Sequence, residues 1–173
     1  DTTSMTNPGP TDLVCTAAFD PDVQTVINVS WTPPAAGRSW VEFGPDTTYG
    51  VMTPVTVGGA AIEQPLLGQG PMEDVYWRAT TEVEGVAHTC TGVTTTSVVP
   101  PGLPVVEVII DEEAIQSSGK YFFGAFFEPM AVNPHVITFR RDGTIVWYHL
   151  GDLESVTVDA HYARDGSGIY FNQ

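Results

Sequence analysis

Three residues with the chemistry of a catalytic or anion-binding site come close together near the C-terminal end of the sequence. Asp159, His161 and Arg164 supply a carboxylate, an imidazole and a guanidinium within one short segment. Groups of these types can provide a nucleophile and a cation that stabilises an anionic transition state. Histidines in loops and at strand edges are nevertheless common in structural roles, and we favour the structural interpretation of this candidate cluster.

The three other histidines do not form such a cluster. We expect His88 at the surface of the N-terminal half, His135 at the start of a strand and His149 at the end of another. The sequence contains no GxSxG, HExxH, P-loop or GxGxxG motif, which would mark a hydrolase, a metalloprotease or a nucleotide site. The sequence therefore assigns no catalytic residue, no cofactor and no metal ligand.

The balance of charge makes some classes of partner unfavourable. The 173-residue chain has 21 acidic and 6 basic residues, which gives a formal net charge of −15. Such a surface repels the phosphate backbone of nucleic acids and is disfavoured at anionic membranes. No apolar run is long enough to span a bilayer. We therefore expect neither a nucleic-acid partner nor a transmembrane segment.

The two cysteines, Cys15 and Cys90, are too far apart in the sequence to form a CxxC motif. An even number of cysteines without metal-binding spacing favours one disulfide, with two unpaired thiols as the alternative. A bridge across so long a loop would stabilise the fold by about 4 kcal/mol in the chain-entropy model. Because disulfides persist in oxidising compartments, we expect an extracellular, cell-surface or periplasmic protein.

The sequence favours an all-β fold, so we expect strands to position the candidate residues. Its 17 Gly and 14 Pro break the chain into short segments. Ile27, Val29 and Trp31 alternate with polar residues, which is typical of a half-buried strand. Strands are predicted at residues 13–18, 25–31, 39–43, 53–57, 62–67, 75–83, 86–98, 105–110, 121–127, 135–140, 144–149, 155–159 and 169–171.

The spacing of these strands divides the chain into four segments. Residues 1–11 are predicted to be a flexible leader, and residues 12–98 a β-sandwich of ordinary domain size. Residues 99–104, Val-Pro-Pro-Gly-Leu-Pro, form a linker, because proline interrupts strand pairing and stiffens the connection. Residues 105–173 form a second all-β portion.

The sandwich segment resembles the fibronectin type III family. Val29-Ser30-Trp31-Thr32-Pro33-Pro34 matches the buried tryptophan and the following proline that end the second strand of such domains. Residues 75–83 match the sixth strand, in which a tyrosine begins an alternating run. Residues 40–44 with Tyr49 are similar to related domains in front of secreted enzymes such as purple acid phosphatases. The resemblance covers about residues 12–98 and implies a fibronectin type III/immunoglobulin-like sandwich, but it leaves the function open.

The second portion resembles the opening blade of bacterial arylsulfotransferase-like β-propellers. Residues 135–148 match its first hairpin, in which an Asp-Gly turn precedes a Val-Trp-Tyr strand, and residues 161–171 match the second hairpin. Arg140 departs from the acidic residue expected before the turn. The chain ends within about one blade, whereas a propeller needs about four or more. The resemblance implies the first blade or blades of a β-propeller.

This second resemblance also implies an activity for the whole protein. Arylsulfotransferases of the family move a sulfuryl group from one phenolic ester to another phenol, using a histidine nucleophile and further His and Arg residues. Those residues come from later blades, and none of them matches a position in this chain. We therefore expect the N-terminal, non-catalytic portion of a secreted arylsulfotransferase-like protein. Its partner would be the remaining propeller segment, in the same protein or in another chain.

The alternative function is that of a non-enzymatic extracellular module for adhesion, scaffolding or assembly. Such a module could use an open strand edge to pair with another protein chain. A third and weaker interpretation is an accessory domain of a secreted hydrolase. The sequence beyond Gln173 discriminates between the first two: further Asp-Gly/Trp repeats with His and Arg favour the enzyme, and a stop codon favours the module.

Overall fold

The structure is a computed structural model that describes residues 13–109, 121–126, 135–151, 160–162 and 169–171. The secondary structure of these residues consists of β-strands without a helix, so the expectation of an all-β chain is confirmed for the part described. In the same ranges there is accordingly no helix that could cross a membrane.

Thirteen strands, numbered in chain order, make up the described structure. The first eight are β1 Cys15–Phe19, β2 Ile27–Trp31, β3 Gly37–Gly44, β4 Val51–Met52, β5 Thr56–Gly58, β6 Ile62–Leu66, β7 Asp74–Val83 and β8 Val86–Thr95. The other five are β9 Tyr121–Phe126, β10 His135–Arg140, β11 Ile145–Leu150, β12 Ala160–Tyr162 and β13 Ile169–Phe171.

The strands belong to two compact units. Among the described residues, the first unit comprises residues 13–20, 27–66 and 73–96. The second comprises residues 21–26 and 67–72 together with those that follow Thr96. Two short segments of the N-terminal half therefore belong with the C-terminal strands.

Two antiparallel sheets form the first unit. One has the strand order β1-β2-β6, and the other has the order β4-β3-β7-β8, with β5 also paired to β3. In β2 the side chains of Ile27, Val29 and Trp31 are buried and their neighbours are half-buried, as the alternating sequence predicts. The same alternation occurs in β6.

A single core lies between these two sheets. Its buried members come from both sheets and from the segment before β1: Leu13, Ile27, Val29, Trp31, Val41, Phe43, Ile62, Leu66, Val75, Trp77 and Ala79. Trp31 Nε1 donates a hydrogen bond of 2.9 Å to Thr81 Oγ1, and Thr81 also shares a 2.8 Å hydrogen bond with Ser39 Oγ. The polar atoms that enter this core are therefore paired, which avoids the cost of burying them alone.

Cys15 and Cys90 form a disulfide, with their Cα atoms 6.3 Å apart. The first residue of β1 is thereby joined to the middle of β8, and so to the other sheet of the same unit. The prediction of a single bridge is confirmed, and the alternative of two free thiols is wrong. Both cysteines are half-buried against the core.

In the second unit, β9, β10 and β11 form an antiparallel sheet in sequence order, and β12 pairs with β13. The predicted hairpin between β10 and β11 is present: Arg140 N donates to Thr144 O, and Asp142 Oδ1 accepts from Thr144 N. Gly143 has a φ of 86°, which favours glycine at this turn position. The antiparallel pairing predicted within residues 161–171 is also present, from Tyr162 opposite Ile169.

The core of the sheet β9-β10-β11 is built around β10. Val136, Ile137 and Thr138 are consecutive and all buried, so β10 is covered on both faces. On one face, Ile137, Ile145 and Tyr148 form a cluster, against which partly buried residues pack: Val23, Val99, Leu103, Val106 and Phe139. Two residues of the predicted linker thus contribute to this core.

Two strand predictions differ from the structure, and one strand is additional. Residues 105–109 form no strand, although they are rich in β-branched residues, because no neighbouring strand among the described residues pairs with them. The strand predicted at 53–57 is instead the shorter β5, which begins after Pro54, a residue that cannot donate a backbone hydrogen bond. Strand β4 was not predicted. Residues 155–159 and Ile110 lie outside the described residues.

Candidate functional site

The structure describes one member of the candidate cluster that the sequence singled out. His161 is the middle residue of β12 and lies opposite Tyr170 of β13 in the strand register. Asp159 and Arg164 lie outside the described residues. The grouping of these three side chains therefore stays a prediction.

The other histidines occupy separate strands. His88 is in β8 opposite Thr81, and its side chain is partly exposed at the surface of the first unit. His149 is in β11 opposite Val136, and His135 begins β10 opposite Phe126 of β9. Within the described ranges, no three His, Cys, Asp or Glu side chains are close enough together to bind a metal ion.

A polar and aromatic group on the outer face of the sheet β4-β3-β7-β8 was not predicted. Arg78 Nε and Nη2 donate to the same oxygen of Glu42, at 3.0 and 2.8 Å. The guanidinium carbon of Arg78 lies 5.0 Å from the centre of the Tyr49 ring, in cation–π contact. We call Glu42, Tyr49 and Arg78 the Arg78 cluster. Its members are only half-buried, so a ligand could reach them from solvent.

The turn that follows β3 brings Tyr49 to this cluster. Asp46 Oδ1 accepts hydrogen bonds from the hydroxyl and the backbone N–H of Thr48, and these two bonds lower the pKa of the exposed Asp46 carboxyl. Tyr49 itself has a φ of 62°. A Cβ atom at Gly44 would overlap the backbone carbonyl of Tyr49, so the return of the chain over β3 requires glycine there.

The strand register explains why Glu42 and Arg78 meet. They are direct partners in the β3–β7 pair, and Met52 of β4 lies opposite Glu42 on the other side. Trp40 is two residues before Glu42 and therefore lies on the same face of the sheet. An exposed ion pair of this kind contributes only about 0–1 kcal/mol, and the aromatic contact about as much again.

The chemistry open to the Arg78 cluster follows from its charges. Both donor nitrogens that point at Glu42 are occupied, and the positive charge of Arg78 is compensated by the carboxylate. A site for a sulfuryl or phosphoryl group would need uncompensated cations instead. The Arg78 cluster is therefore best explained by a structural role, in which Arg78 holds the turn that contains Tyr49 against the sheet.

Three further polar contacts lie in the second unit. Arg140 Nε and Nη2 donate to the carbonyl of Gly68, at 3.2 and 2.7 Å. The hydroxyl oxygen of Tyr148 accepts from the backbone N–H of Gln24 at 2.9 Å. Thr25 Oγ1 donates to the carbonyl of Val146 at 2.9 Å. These contacts fasten residues 21–26 and 67–72 to strands β10 and β11. Arg140 thus has a structural partner within this unit.

Thr138 of β10 is a buried polar residue in the sheet β9-β10-β11. Its side chain is 7% exposed, and its hydroxyl has no hydrogen-bond partner among the residues described. The β10–β11 register shifts just after it, so that Thr138 faces Trp147 while Phe139 faces Ile145. Val146 is the extra residue of the resulting bulge. An unpaired buried hydroxyl costs stability of about 1–3 kcal/mol.

Comparison with known proteins adds no relative to these observations: no family model, no curated protein and no solved structure matches the chain.

Proposed function

We propose that this chain is the N-terminal, non-catalytic portion of an extracytoplasmic arylsulfotransferase-like protein. In this proposal a fibronectin type III-like module is followed by the first blade or blades of a β-propeller. Sulfuryl transfer between phenols would take place in the complete propeller, with the histidine nucleophile supplied by blades other than these.

The sandwich part of the proposal rests on the strand order of the first unit. Its first, second and sixth strands form one sheet, and its third, fourth, fifth, seventh and eighth strands form the other. Two sheets with this crossing order around one core are typical of immunoglobulin-like and fibronectin type III sandwiches. The buried Trp31 at the end of the second strand agrees with the sequence resemblance.

The disulfide supports the extracytoplasmic location. Reducing conditions in the cytosol disfavour such bonds, whereas secreted and periplasmic proteins retain them. The bridge between Cys15 and Cys90 joins the two sheets of one module, as expected for a structural disulfide.

The second unit supports the propeller part of the proposal. Propeller blades are sheets of antiparallel strands in sequence order, and β9-β10-β11 has this order. The antiparallel pair of β12 and β13 follows it in the sequence, which agrees with a succession of blades. The Asp142-Gly143 turn and Trp147 are the residues on which the resemblance to the arylsulfotransferase-like family rests.

The test begins with the gene and continues with an assay. We expect the reading frame after Gln173 to encode further Asp-Gly/Trp hairpins that carry His and Arg. The complete product should transfer the sulfuryl group of 4-nitrophenyl sulfate to a phenol, and the 173-residue chain alone should not. A stop codon after Gln173, or an active 173-residue chain, would contradict the proposal.

A second candidate function is an extracellular assembly module. The observation that favours it is the long strand β8, which is paired on one side only within the described residues. A strand edge of this kind can accept a strand from another chain. An assembly role would not require any further blades.

A further inference from the structure

We propose that the free edge of β8, from Thr91 to Thr95, is a pairing surface on which a second copy of this chain adds its own β8 in antiparallel register. The product would be a symmetric dimer in which the sheet β4-β3-β7-β8 continues from one copy into the other. Such pairing is independent of any sulfuryl-transfer chemistry.

Along this edge the backbone of β8 presents groups that have no partner in the described part of the chain. Its register with β7 runs from Val86 to Thr95 without a shift. In an antiparallel strand, alternate residues direct their N–H and C=O groups to opposite sides. Thr89 O accepts from Leu13 N at 2.9 Å, which identifies Thr89 as a residue of the outward set. Thr91 and Val93 belong to the same set, and their backbone groups have no partner among the described residues.

The other edge strands of the first unit carry features that prevent such pairing. Strands β4 and β5 have two and three residues. Strand β6 contains Glu63 and Pro65, and both a charge and a proline discourage the addition of a strand. Strand β1 has five residues and is tied to β8 by the disulfide. Strand β8 has ten residues, and the five from Thr91 to Thr95 that form its free part contain neither proline nor a charged side chain.

The composition of β8 favours a second copy over a charged partner. None of the 21 acidic and 6 basic residues of the chain lies in β8, so this edge offers no ion pair to a charged partner. A twofold axis at Val93 places this residue opposite itself and Thr91 opposite Thr95 of the second copy. Valine pairs and threonine pairs across strands are favourable. A contact between two identical edges closes as a dimer and leaves the edge covered.

The solvent exposure of Val93 is also consistent with pairing to a second copy of the chain. Val93 is 54% exposed although it is a β-branched residue in a regular strand. Pairing with a second copy would cover the side chain from one side and satisfy the outward backbone groups beside it.

The net charge determines how such a dimer responds to salt. Each copy has a formal charge of −15, so the two copies repel each other at low ionic strength. The screening length falls from about 10 Å at 0.1 M salt to about 3 Å at 1 M salt. The dimer should therefore become tighter as salt is added, which is the opposite of the behaviour of a contact held by ion pairs.

The experiment measures the association of the 173-residue chain by analytical ultracentrifugation over a range of concentrations, at about 0.1 M and about 1 M sodium chloride. The informative variant is Val93→Lys, which places a charge on the free edge. Its matched control is Val57→Lys on the three-residue strand β5, where the side chain is 76% exposed. Both variants change the net charge equally. Association of Val93→Lys should be weaker by about tenfold or more, and Val57→Lys should match the natural chain.

Amide hydrogen exchange locates the contact. The amides of Thr91 and Val93 should become protected as concentration and salt increase, whereas those of Cys90 and Gly92, which face β7, should be protected throughout. Protection of the latter two in Val93→Lys also shows that the variant is folded. Thr91→Pro is a second variant, because it removes an outward N–H without removing a β7–β8 hydrogen bond.

Four outcomes would overturn the proposal. The chain could remain monomeric at every concentration and salt level. The two lysine variants could dimerise equally, or a dimer could form without protection of Thr91 and Val93. A dimer that weakens as salt is added would assign the contact to a charged surface elsewhere and would overturn the proposal as well.

Discussion

Gly92 lies directly opposite Trp77 in the β7–β8 pair, and the indole occupies the space that a side chain at Gly92 would need. A Cβ atom at position 92 would be 2.8 Å from Trp77 Cε2 and in still closer overlap with a neighbouring ring atom. Trp77 is a buried core residue whose Nε1 also donates to Thr94 Oγ1 at 3.0 Å, so the ring has little freedom to move away.

The first prediction follows from this contact. Gly92→Ala should lower the free energy of unfolding by about 1–3 kcal/mol, because it overpacks the core against a rigid ring. Gly58→Ala is the control, since a Cβ atom at Gly58 would meet nothing within 4 Å. Urea denaturation followed by circular dichroism measures both. Equal stability of the two variants would contradict this account of the Trp77 environment.

The second prediction concerns the disulfide. Replacing both Cys15 and Cys90 by alanine should lower the free energy of unfolding by about 2–4 kcal/mol, because the open chain gains conformational freedom in the unfolded state. A reducing agent should destabilise the natural chain by a similar amount and leave the double variant unchanged. If reduction did not change the denaturation midpoint of the natural chain, the disulfide would not contribute to the stability of the first unit.

Much of the first unit could be predicted because its strands and turns are specified by residues that are close together in the sequence. Alternation in residues 27–31 predicts a strand with one buried face, and the predicted strands 75–83 and 86–98 leave only Glu84-Gly85 between them for a tight hairpin turn. The structure has these features, with positive φ at both turn residues. The disulfide follows from the count and spacing of two cysteines.

What could not be predicted depends on pairing between distant residues. Glu42 and Arg78 are 36 positions apart, and only the β3–β7 register brings them together. Gly68 and Arg140 are separated by 72 positions. β-Propensity at residues 105–109 did not produce a strand, since propensity reports the fit of a side chain to a pleated surface and cannot supply a neighbouring strand.

The third prediction compares two buried threonines of the second unit. Thr138→Val should raise the free energy of unfolding by about 1 kcal/mol or more, because it replaces an unpaired buried hydroxyl by a methyl group of similar size. Thr25→Val makes the same chemical change where the hydroxyl is hydrogen-bonded to Val146 O, and it should be destabilising by about 1–2 kcal/mol. Thermal denaturation of the two variants gives the signs. Destabilisation by Thr138→Val would show that its hydroxyl has a partner.

The last prediction concerns the pH dependence of the β10–β11 turn. Hydrogen bonds from the backbone N–H and the hydroxyl of Thr144 lower the pKa of the Asp142 carboxyl, and the nearby Arg140 adds to the effect. A carboxyl whose pKa is lower in the folded state stabilises that state above the pKa of the unfolded chain, which for aspartate is about 3.9. That stabilisation is lost as the pH falls below about 4 and through the lower folded value. The contribution is small, because Asp142 is exposed and screened by solvent.

A carbon-detected NMR titration of the Asp142 carboxyl provides the measurement. Thr144→Val removes the hydroxyl and retains the backbone N–H, so the pKa of Asp142 should move part of the way back towards the usual aspartate range. In Asp142→Asn the turn keeps an acceptor for Thr144 N, and the loss of stability below about pH 4 should be smaller than in the natural chain. An Asp142 pKa at or above the usual value in the natural chain would mean that the side chain does not accept these hydrogen bonds in solution. The Asp142-Gly143 turn would then be held by the backbone bonds of Arg140 alone.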